Sequence, residues 1–225
     1  MKQNFTRRNF LATAGVAALG TGLARGAEAA AKGKAVKIIG VACSPRKGMT
    51  TAKAVEAALD AAKGVDPRVV VELVDLGGLN IAGYSPKPPQ DDFTAILPKL
   101  QDPALGGLII GSPSYFRGMS SLCKAFIERC APLREPKMVL ANKPVGVVAV
   151  GAFRNGGQEM TIEQVQAAIL CFGMVAVGGN APAFQGATVL STKDDISADE
   201  LGLDTARKLG AHVAEMALRL AAKEA

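Results

Sequence analysis

The amino-acid sequence predicts an α/β fold, a three-layer doubly wound sheet of five parallel strands in the order 2-1-3-4-5. Short apolar runs alternate along the chain with segments of helical periodicity, which is the pattern of repeated βα units. Tryptophan is absent and aromatic residues make up 4% of the chain, which favours a core of Val, Ile and Ala over an all-β sandwich. We expect this strand order because five strands follow residue 29 and the first of them leads directly into the most distinctive turn.

Residues 1–29 have the features of a signal peptide. Lys2, Arg7 and Arg8 form a basic start, a mildly apolar run follows, and Ala-Glu-Ala at 27–29 fits an A-x-A cleavage site. The arginine pair within TRRNFL matches the twin-arginine export signal, and the Gly- and Ala-rich run is too short and too weakly apolar for a membrane span. The alternatives are a disordered basic arm or an uncleaved anchor. We expect cleavage after residue 29 and a periplasmic protein that the twin-arginine translocase exports already folded.

Residues 30–225 then form one domain of ordinary size, with enough apolar residues for a full core. Loss of residues 1–29 removes four of the 26 Lys and Arg and one of the 20 Asp and Glu, which lowers the net charge from +6 to +3. Such a charge does not indicate nucleic acid. Cys123 and Cys130 lie about 10 Å apart along one predicted helix, too far for a bridge within it, so we expect both to be small buried side chains. No C-x-x-C motif occurs, and no metal site is predicted.

The first strand and the turn after it predict a phosphate site. The apolar run VKIIGVA at 36–42 leads through CSPRKGMTT into a helix that begins near Thr51. A helix start presents unpaired N–H groups and the positive end of the helix dipole, which favour an anion. The spacing matches neither the nucleoside-triphosphate nor the dinucleotide motif, and an ordinary βα turn would also use the proline and glycine here. We call residues 44–51 the phosphate turn, and its predicted phosphate-binding residues are Ser44, Arg46, Lys47, Gly48, Thr50 and Thr51.

The remaining elements continue the alternation. The helix after the phosphate turn is expected to end at Gly64, and a second strand over 68–75 stops at two glycines. The proline-rich segment 79–90 is predicted to be a loop, followed by a short helix that starts at residues 91–92. Later strands are predicted at 106–112, 145–150 and 174–177, later helices at 120–131, 160–172 and from residue 197, and irregular chain at 178–195.

Two further loops carry residues suited to a flat ring system. In a doubly wound sheet, ligands bind where the loops after strands one, three and four gather at the carboxyl edge. The third-strand loop offers adjacent tyrosine and phenylalanine rings, which could flank such a ligand or simply plug the sheet end. The fourth-strand loop offers glycines whose backbone can approach a ligand closely. The predicted ring-side residues are Pro113, Ser114, Tyr115, Phe116, Gly151, Arg154 and Gly157.

Three segments carry a resemblance to a known family. SPRKGMTTAK at 44–53 resembles the phosphate loop of the NADPH-dependent FMN reductase family of flavodoxin-like proteins. GSPSYFRGMSSLCKAFIER at 111–129 resembles the family segment that borders the flavin ring, and GAFRNGGQEMT at 151–161 resembles its glycine-rich loop. The similarity covers nearly all of residues 30–225. Cys43 and Met49 depart from it, because the family usually has glycine and a small polar residue there.

The resemblance implies a noncovalently bound FMN, with its phosphate on the phosphate turn and its ring beside the other two loops. It also implies NAD(P)H as a candidate electron donor, and dimers or tetramers whose subunits complete one another's flavin sites. No catalytic side chain is required, because flavin accepts a hydride or single electrons at its own ring. The sequence resembles in particular the iron–sulfur flavoprotein branch, but the segment LNIAGYSPKPPQDDF at 79–93 lacks that branch's clustered cysteines, so we expect no cluster there.

Three functions remain open at this point. The favoured one is an exported FMN-dependent oxidoreductase that reduces a small acceptor such as a quinone, free flavin or metal ion. The second is a non-enzymatic, flavodoxin-like carrier of electrons between exported redox proteins. The third is a flavin-free module that binds another anion in the phosphate turn. A nicotinamide pool is not expected outside the cytoplasm, so the sequence identifies neither the donor nor the acceptor.

Replacing Arg7 and Arg8 by lysine tests the export prediction. If the twin-arginine pathway recognises this pair, the double variant accumulates in the cytoplasm as folded precursor, because the mature domain is unchanged. Cell fractionation with immunoblotting measures its distribution, and unchanged export would contradict the prediction.

Overall fold

The structure is a computed structural model that describes residues 33–222. The predicted signal peptide and its cleavage site lie outside these residues. Within the described range, no helix combines the length and the apolar character needed to cross a bilayer.

The parallel sheet confirms the predicted order, which is β2-β1-β3-β4-β5 with a further strand, β6, on β4. Ile39 in β1 lies opposite Glu72 in β2 and Leu108 in β3, so β1 is an interior strand. Strands β1, β3 and β4 are buried almost throughout, as expected for strands covered on both faces. The strands are β1 (Val36–Ala42), β2 (Val69–Asp75), β3 (Leu105–Pro113), β4 (Pro144–Gly151), β5 (Val175–Ala176) and β6 (Ala187–Leu190).

The fifth position of the sheet is shared by two short strands; β5 confirms the strand predicted at 174–177, whereas β6 was not predicted. β5 pairs with β4 only at Pro144 and Val145, whereas β6 pairs with the other half of β4, from Val148 to Gly151. The chain between them folds back tightly, since a Cβ added at Gly179 would lie 2.4 Å from the Gly186 carbonyl oxygen. The expectation of irregular chain throughout 178–195 is therefore wrong for β6.

The helices lie close to their predicted positions. Ser120 precedes α3, and its hydroxyl accepts a hydrogen bond from the Cys123 amide at 3.0 Å. The last helix begins at Glu200 rather than at residue 197, because the Ser197 amide and hydroxyl both donate to the Asp195 carboxylate in a separate turn. The helices are α1 (Thr50–Lys63), α2 (Leu97–Leu100), α3 (Ser121–Arg129), α4 (Gln158–Ile169) and α5 (Glu200–Ala221), with 3-10 turns at Asp92–Ala95, Ala131–Leu133 and Leu170–Phe172.

A separate apolar core covers each face of the sheet. On one face α1 and α5 pack so closely that a Cβ at Gly210 would lie 1.9 Å from the Ala58 carbonyl oxygen. On the other face α3 and α4 enclose Phe93 and Phe126, whose rings meet edge to face with centroids 6.0 Å apart. This second core also contains Cys43, Cys123 and Cys130 as free, buried thiols, which confirms the expectation for the last two.

A buried ion pair fastens the long loop after β2 to α3. The Arg129 guanidinium contacts the Asp91 carboxylate, donates to the Pro89 carbonyl at 3.3 Å and lies 5.2 Å from the centre of the Phe93 ring. The two charged side chains are 8% and 4% exposed. Burial opposes ionisation of Asp91, but hydrogen bonds from the Ala82 amide and from Arg129 hold its pKa below the ordinary value. The loop is thus anchored by polar contacts rather than by regular structure.

The variant Arg129→Leu tests this anchor, because it leaves the Asp91 carboxylate buried without its cation. We expect the free energy of unfolding at pH 7, measured by urea denaturation, to fall by about 3 kcal/mol. The control Lys124→Ala removes an exposed ion pair with Glu128 from the same helix and should change it by less than about 0.5 kcal/mol.

The pH dependence follows from the lowered pKa of Asp91. Its stabilisation is present above the unfolded pKa of about 3.9 and is lost as the pH falls through the lower native pKa. The difference between wild type and Arg129→Leu should therefore shrink in acid. The role of the ion pair would be contradicted if Arg129→Leu lowered the free energy of unfolding by the same amount at pH 7 and at pH 2. It would also be contradicted if Arg129→Leu lowered this free energy no more than the control Lys124→Ala does.

Candidate functional site

The phosphate turn leaves the first amides of α1 without acceptors. Met49 stands at the N-cap position without a side-chain cap, and its carbonyl accepts the first intrahelical bond, from the Lys53 amide at 3.1 Å. The amides of Thr50, Thr51 and Ala52 come before that bond, so the helix itself cannot satisfy them. No acidic residue lies in this first turn, so no side chain of the helix itself neutralises the positive end of its dipole.

Two hydroxyls add to these donors. Thr50 and Thr51 are only 3% and 1% exposed, and within the described chain neither hydroxyl has a hydrogen-bond partner. Every fully buried side-chain N or O atom in residues 33–222 is paired, so both hydroxyls keep some accessibility to solvent. The third hydroxyl, on Ser44, accepts from the Arg46 amide at 3.2 Å and shapes the turn itself.

The end of β2 holds the phosphate turn in place. One oxygen of Asp75 accepts from the Gly48 amide at 2.7 Å and the other accepts from the Gly77 amide at 2.9 Å. Gly48 has a φ of +66°, which suits glycine, and a Cβ at Gly77 would lie 2.3 Å from the Lys47 backbone. The sequence analysis did not select Asp75. An aspartate directly before two glycines is the signal that could have indicated a turn-binding carboxylate.

The loop after β3 forms a tight hairpin. The Tyr115 amide donates to the Gly118 carbonyl at 2.9 Å, and the Gly118 amide donates back at 3.0 Å. Phe116 and Arg117, between them, have left-handed φ values of 50° and 64°. Tyr115 is 41% exposed, and the Phe116 side chain lies wholly in solvent.

Ser114 ties this loop to the loop after β4. Its hydroxyl donates to the Gly156 carbonyl at 2.9 Å and accepts from the Thr161 hydroxyl at 3.1 Å. Gly157, with a φ of +91°, approaches the hairpin so closely that a Cβ there would lie 2.7 Å from Arg117 Cα. The sequence analysis expected the backbone at Gly157 to approach a ligand closely. In the structure, its close approach is to the neighbouring loop.

A cavity of about 280 Å³ lies where these loops meet the phosphate turn. It is open to solvent, and its walls come from the carboxyl ends of β3, β4 and β6 and from the phosphate turn. The structure thus brings together six of the residues predicted from the sequence: Arg46, Thr50, Pro113, Ser114, Tyr115 and Gly151. Ser44, Lys47, Gly48 and Thr51 belong to the adjoining turn without lining the cavity.

A second hairpin, residues 191–195, completes the cavity and was missed by sequence reasoning. It supplies Ser191, Lys193 and Asp194 to the wall. The Arg46 Nη1 atom lies 2.6 Å from Asp194 Oδ1. The hydrogen bond to Asp194 raises the pKa of Arg46, burial opposes this, and Tyr115 adds to the increase. The cluster of polar residues STKDD signals a turn, but nothing in it indicates which loop it would contact.

Arg154 and Gly157 lie instead on a second cavity, of about 460 Å³, beside Arg117. The Arg154 guanidinium is paired with Asp199, the residue before α5, whose other oxygen accepts from the Leu190 amide at 2.6 Å. Burial opposes ionisation of Asp199, but these two donors lower its pKa. A contact between Arg154 and the flavin stays a prediction.

Comparison with known proteins agrees with this geometry. A family model described as NADPH-dependent FMN reductase matches residues 36–189. An iron–sulfur flavoprotein of Methanocaldococcus jannaschii is 40% identical over 190 residues, which cover 80% of this chain and 97% of that protein. An NAD(P)H dehydrogenase (quinone) of Paracoccus denitrificans is 34% identical over 188 residues, covering 74% and 86%. The solved structure of RosB with bound 8-demethyl-8-formylriboflavin-5′-phosphate has a TM-score of 0.67 at 15% identity, covering 83% and 80%.

The fold is flavodoxin-like, and the site is that of a flavoprotein. The chain belongs to the NADPH-dependent FMN reductase family; it is an FMN-dependent oxidoreductase, and FMN is its cofactor. The residues present fit this cofactor, because the phosphate turn offers unpaired amides and hydroxyls beside a cavity with an aromatic wall. The cluster named for the M. jannaschii protein is not assigned here, since no cysteine occurs in 79–93 and no metal-binding group of three His, Cys, Asp or Glu exists among the described residues.

The phosphate turn predicts a strong preference for FMN over riboflavin. Charge-assisted hydrogen bonds contribute roughly 1.5–3 kcal/mol each, so two of them give FMN at least about a hundredfold higher affinity. Thr51→Asp should weaken FMN binding more than Thr51→Ala, because it places a carboxylate against the phosphate as well as removing a donor. Titration of the apoprotein by flavin fluorescence measures these affinities, with circular dichroism as the check on folding.

The matched control is Thr94→Asp, which adds the same charge at an exposed threonine outside the phosphate turn. Its affinity for FMN should equal that of the wild type. Equal affinities of the wild type for FMN and riboflavin would mean that the phosphate does not bind in this turn.

Proposed function

We propose that this protein is an exported oxidoreductase that uses FMN to reduce a small acceptor, such as a quinone, free flavin or metal ion, in the periplasm. One observation carries the enzymatic part of the proposal. The phosphate turn, with its unpaired donors, meets the loops after β3 and β4 around one solvent-open cavity. The twin-arginine pattern within residues 1–29 supports export. The quinone named for the P. denitrificans relative supports a quinone as the first acceptor to test.

The protein positions and shields the cofactor. When bound, FMN supplies a ring that accepts a hydride or single electrons and passes them on. The amides and hydroxyls of Thr50 and Thr51 hold the phosphate and so fix the position of the flavin in the site. Tyr115 and the β4 end at Gly151 form the cavity walls that orient the ring and exclude water from part of it. No acid–base pair of side chains is needed, because the electron transfer occurs at the ring.

We further propose that the functional unit is a dimer or tetramer. Large apolar side chains are exposed near the two cavities: Phe116, Phe153 and Phe184 on loops, and Met160 and Leu201 in the first turns of α4 and α5, where they line the second cavity. A group of exposed apolar side chains of this kind is typical of a surface that another protein covers. The family resemblance supports a second copy of this chain as that partner, completing the flavin site.

NAD(P)H is the candidate donor, as the family description and the name of the P. denitrificans relative suggest. A nicotinamide pool is not expected in the periplasm, so the donor of an exported protein must be identified by experiment. The second candidate function, an electron carrier, is supported by the fully exposed Phe116 next to the cofactor cavity, which a redox protein could contact.

Steady-state turnover separates the two functions. With FMN, NAD(P)H and a soluble quinone, we expect many quinone molecules to be reduced per protein, because the open cavity admits a small acceptor. Thr51→Asp should lower this rate at least about tenfold at subsaturating FMN, following its loss of affinity, and Thr94→Asp should not. The carrier function would replace the enzymatic one on two results together. The quinone would reoxidise the photoreduced protein only slowly, and no electron donor would support steady-state reduction of the quinone.

A further inference from the structure

The hairpin 191–195 lies beyond the part of the chain that the family model matches, which ends at residue 189. It nevertheless contributes three residues to the wall of the cavity that the phosphate turn borders. Its place is fixed at one end by the sheet, because the Ser191 amide donates to the Gly151 carbonyl at 2.8 Å and continues the pairing of β6 with β4. The cavity therefore has a wall that the family pattern does not account for.

The hairpin is a tight turn that aims Asp194 at the phosphate turn. The Thr192 amide donates to the Asp195 carbonyl at 2.8 Å, and the Asp195 amide donates back at 3.0 Å. Lys193 and Asp194 between them have left-handed φ values of 50° and 62°, a conformation that aspartate adopts more readily than most residues other than glycine. The two backbone hydrogen bonds close this turn and so fix the Asp194 backbone within it.

Arg46 spans the cavity to reach Asp194. Its guanidinium contacts the Asp194 carboxylate at 2.6 Å, and Tyr115 from the loop after β3 lines the same cavity. The Arg46 side chain is 47% exposed. Without the contact to Asp194 it would lose much rotamer freedom on binding an anion. Arg46, Lys193 and Asp194 are the charged residues of the wall and together carry a net positive charge, so the paired carboxylate does not make the cavity repel a phosphate.

We propose that Asp194 is a positioning residue for FMN: it holds the Arg46 guanidinium beside the phosphate turn, so that the hairpin 191–195 closes the phosphate end of the site and slows cofactor release. This inference rests on the placement of the FMN phosphate at the phosphate turn. Asp194 acts through Arg46 and need not touch the cofactor. Its contribution should therefore vanish when Arg46 is absent and when the ligand lacks a phosphate.

The experiment is a double-mutant cycle on the holoprotein with Asp194→Asn, Arg46→Ala and both together. Asparagine tolerates the left-handed conformation as well as aspartate does, so the hairpin is kept while the charge is removed. FMN release after dilution is followed by the recovery of flavin fluorescence. We expect Asp194→Asn to speed release by about threefold to fivefold, the upper part of the range of an exposed ion pair. It should have no further effect in the Arg46→Ala background and none on the release of riboflavin.

The control is Asp195→Asn, which removes the same charge from the same hairpin. Asp195 bonds to Ser197 rather than to Arg46 and does not line the cavity, so its FMN release should match that of the wild type. The proposal would be overturned if Asp194→Asn released FMN more slowly than the wild type, or if Asp194→Asn and Asp195→Asn accelerated release equally. It would also be overturned if the effects of Asp194→Asn and Arg46→Ala were additive. Failure of the phosphate placement is a different result, because the wild type itself would then bind FMN and riboflavin equally.

Discussion

An α-helix cannot satisfy its own first amides, and the start of α1 leaves those of Thr50 and Thr51 open at the carboxyl edge of the sheet. The surrounding structure keeps them there. The turn follows an interior strand, Asp75 binds the Gly48 amide from the neighbouring strand, and Gly77 lets the end of β2 lie against Lys47. An anion is the ligand that such unpaired amides favour, and we propose that the phosphate of FMN is that anion.

The ring-side loops are placed relative to that turn by a chain of hydrogen bonds around Ser120. Its hydroxyl donates to the Cys43 carbonyl at 2.6 Å, directly before the phosphate turn, and accepts from the Cys123 amide at the start of α3. Its amide donates to the Ser112 hydroxyl at 3.0 Å, near the end of β3. Because these groups are buried, the end of β1 and the third loop cannot move independently without leaving a polar group unpaired. The two halves of the cofactor site are therefore one rigid arrangement.

The loop after β2 shows how a shared fold hosts different sites. Where the iron–sulfur branch carries clustered cysteines, this chain has a proline-rich segment held down by the buried contact between Arg129 and Asp91. A carboxylate and a guanidinium that bind each other and nearby backbone groups can anchor an irregular loop, because each buried charge has hydrogen-bond partners. Fold and cofactor are thus common to the family, whereas the loop after β2 belongs to the individual chain.

The sequence by itself determined the features that depend on local patterns: the alternation of strands and helices, the strand order, the phosphate turn, and the family through three motifs. It did not determine β6, since four residues become a strand only because β5 leaves half of β4 unpaired. Nor did it determine the hairpin 191–195 as part of the site. Arg46 and Asp194 are 148 residues apart in the chain, and Arg154 meets Asp199 rather than lining the first cavity. Such charge pairs leave no periodic signal, because the distance between their loops is set only when the sheet and its two cores have formed.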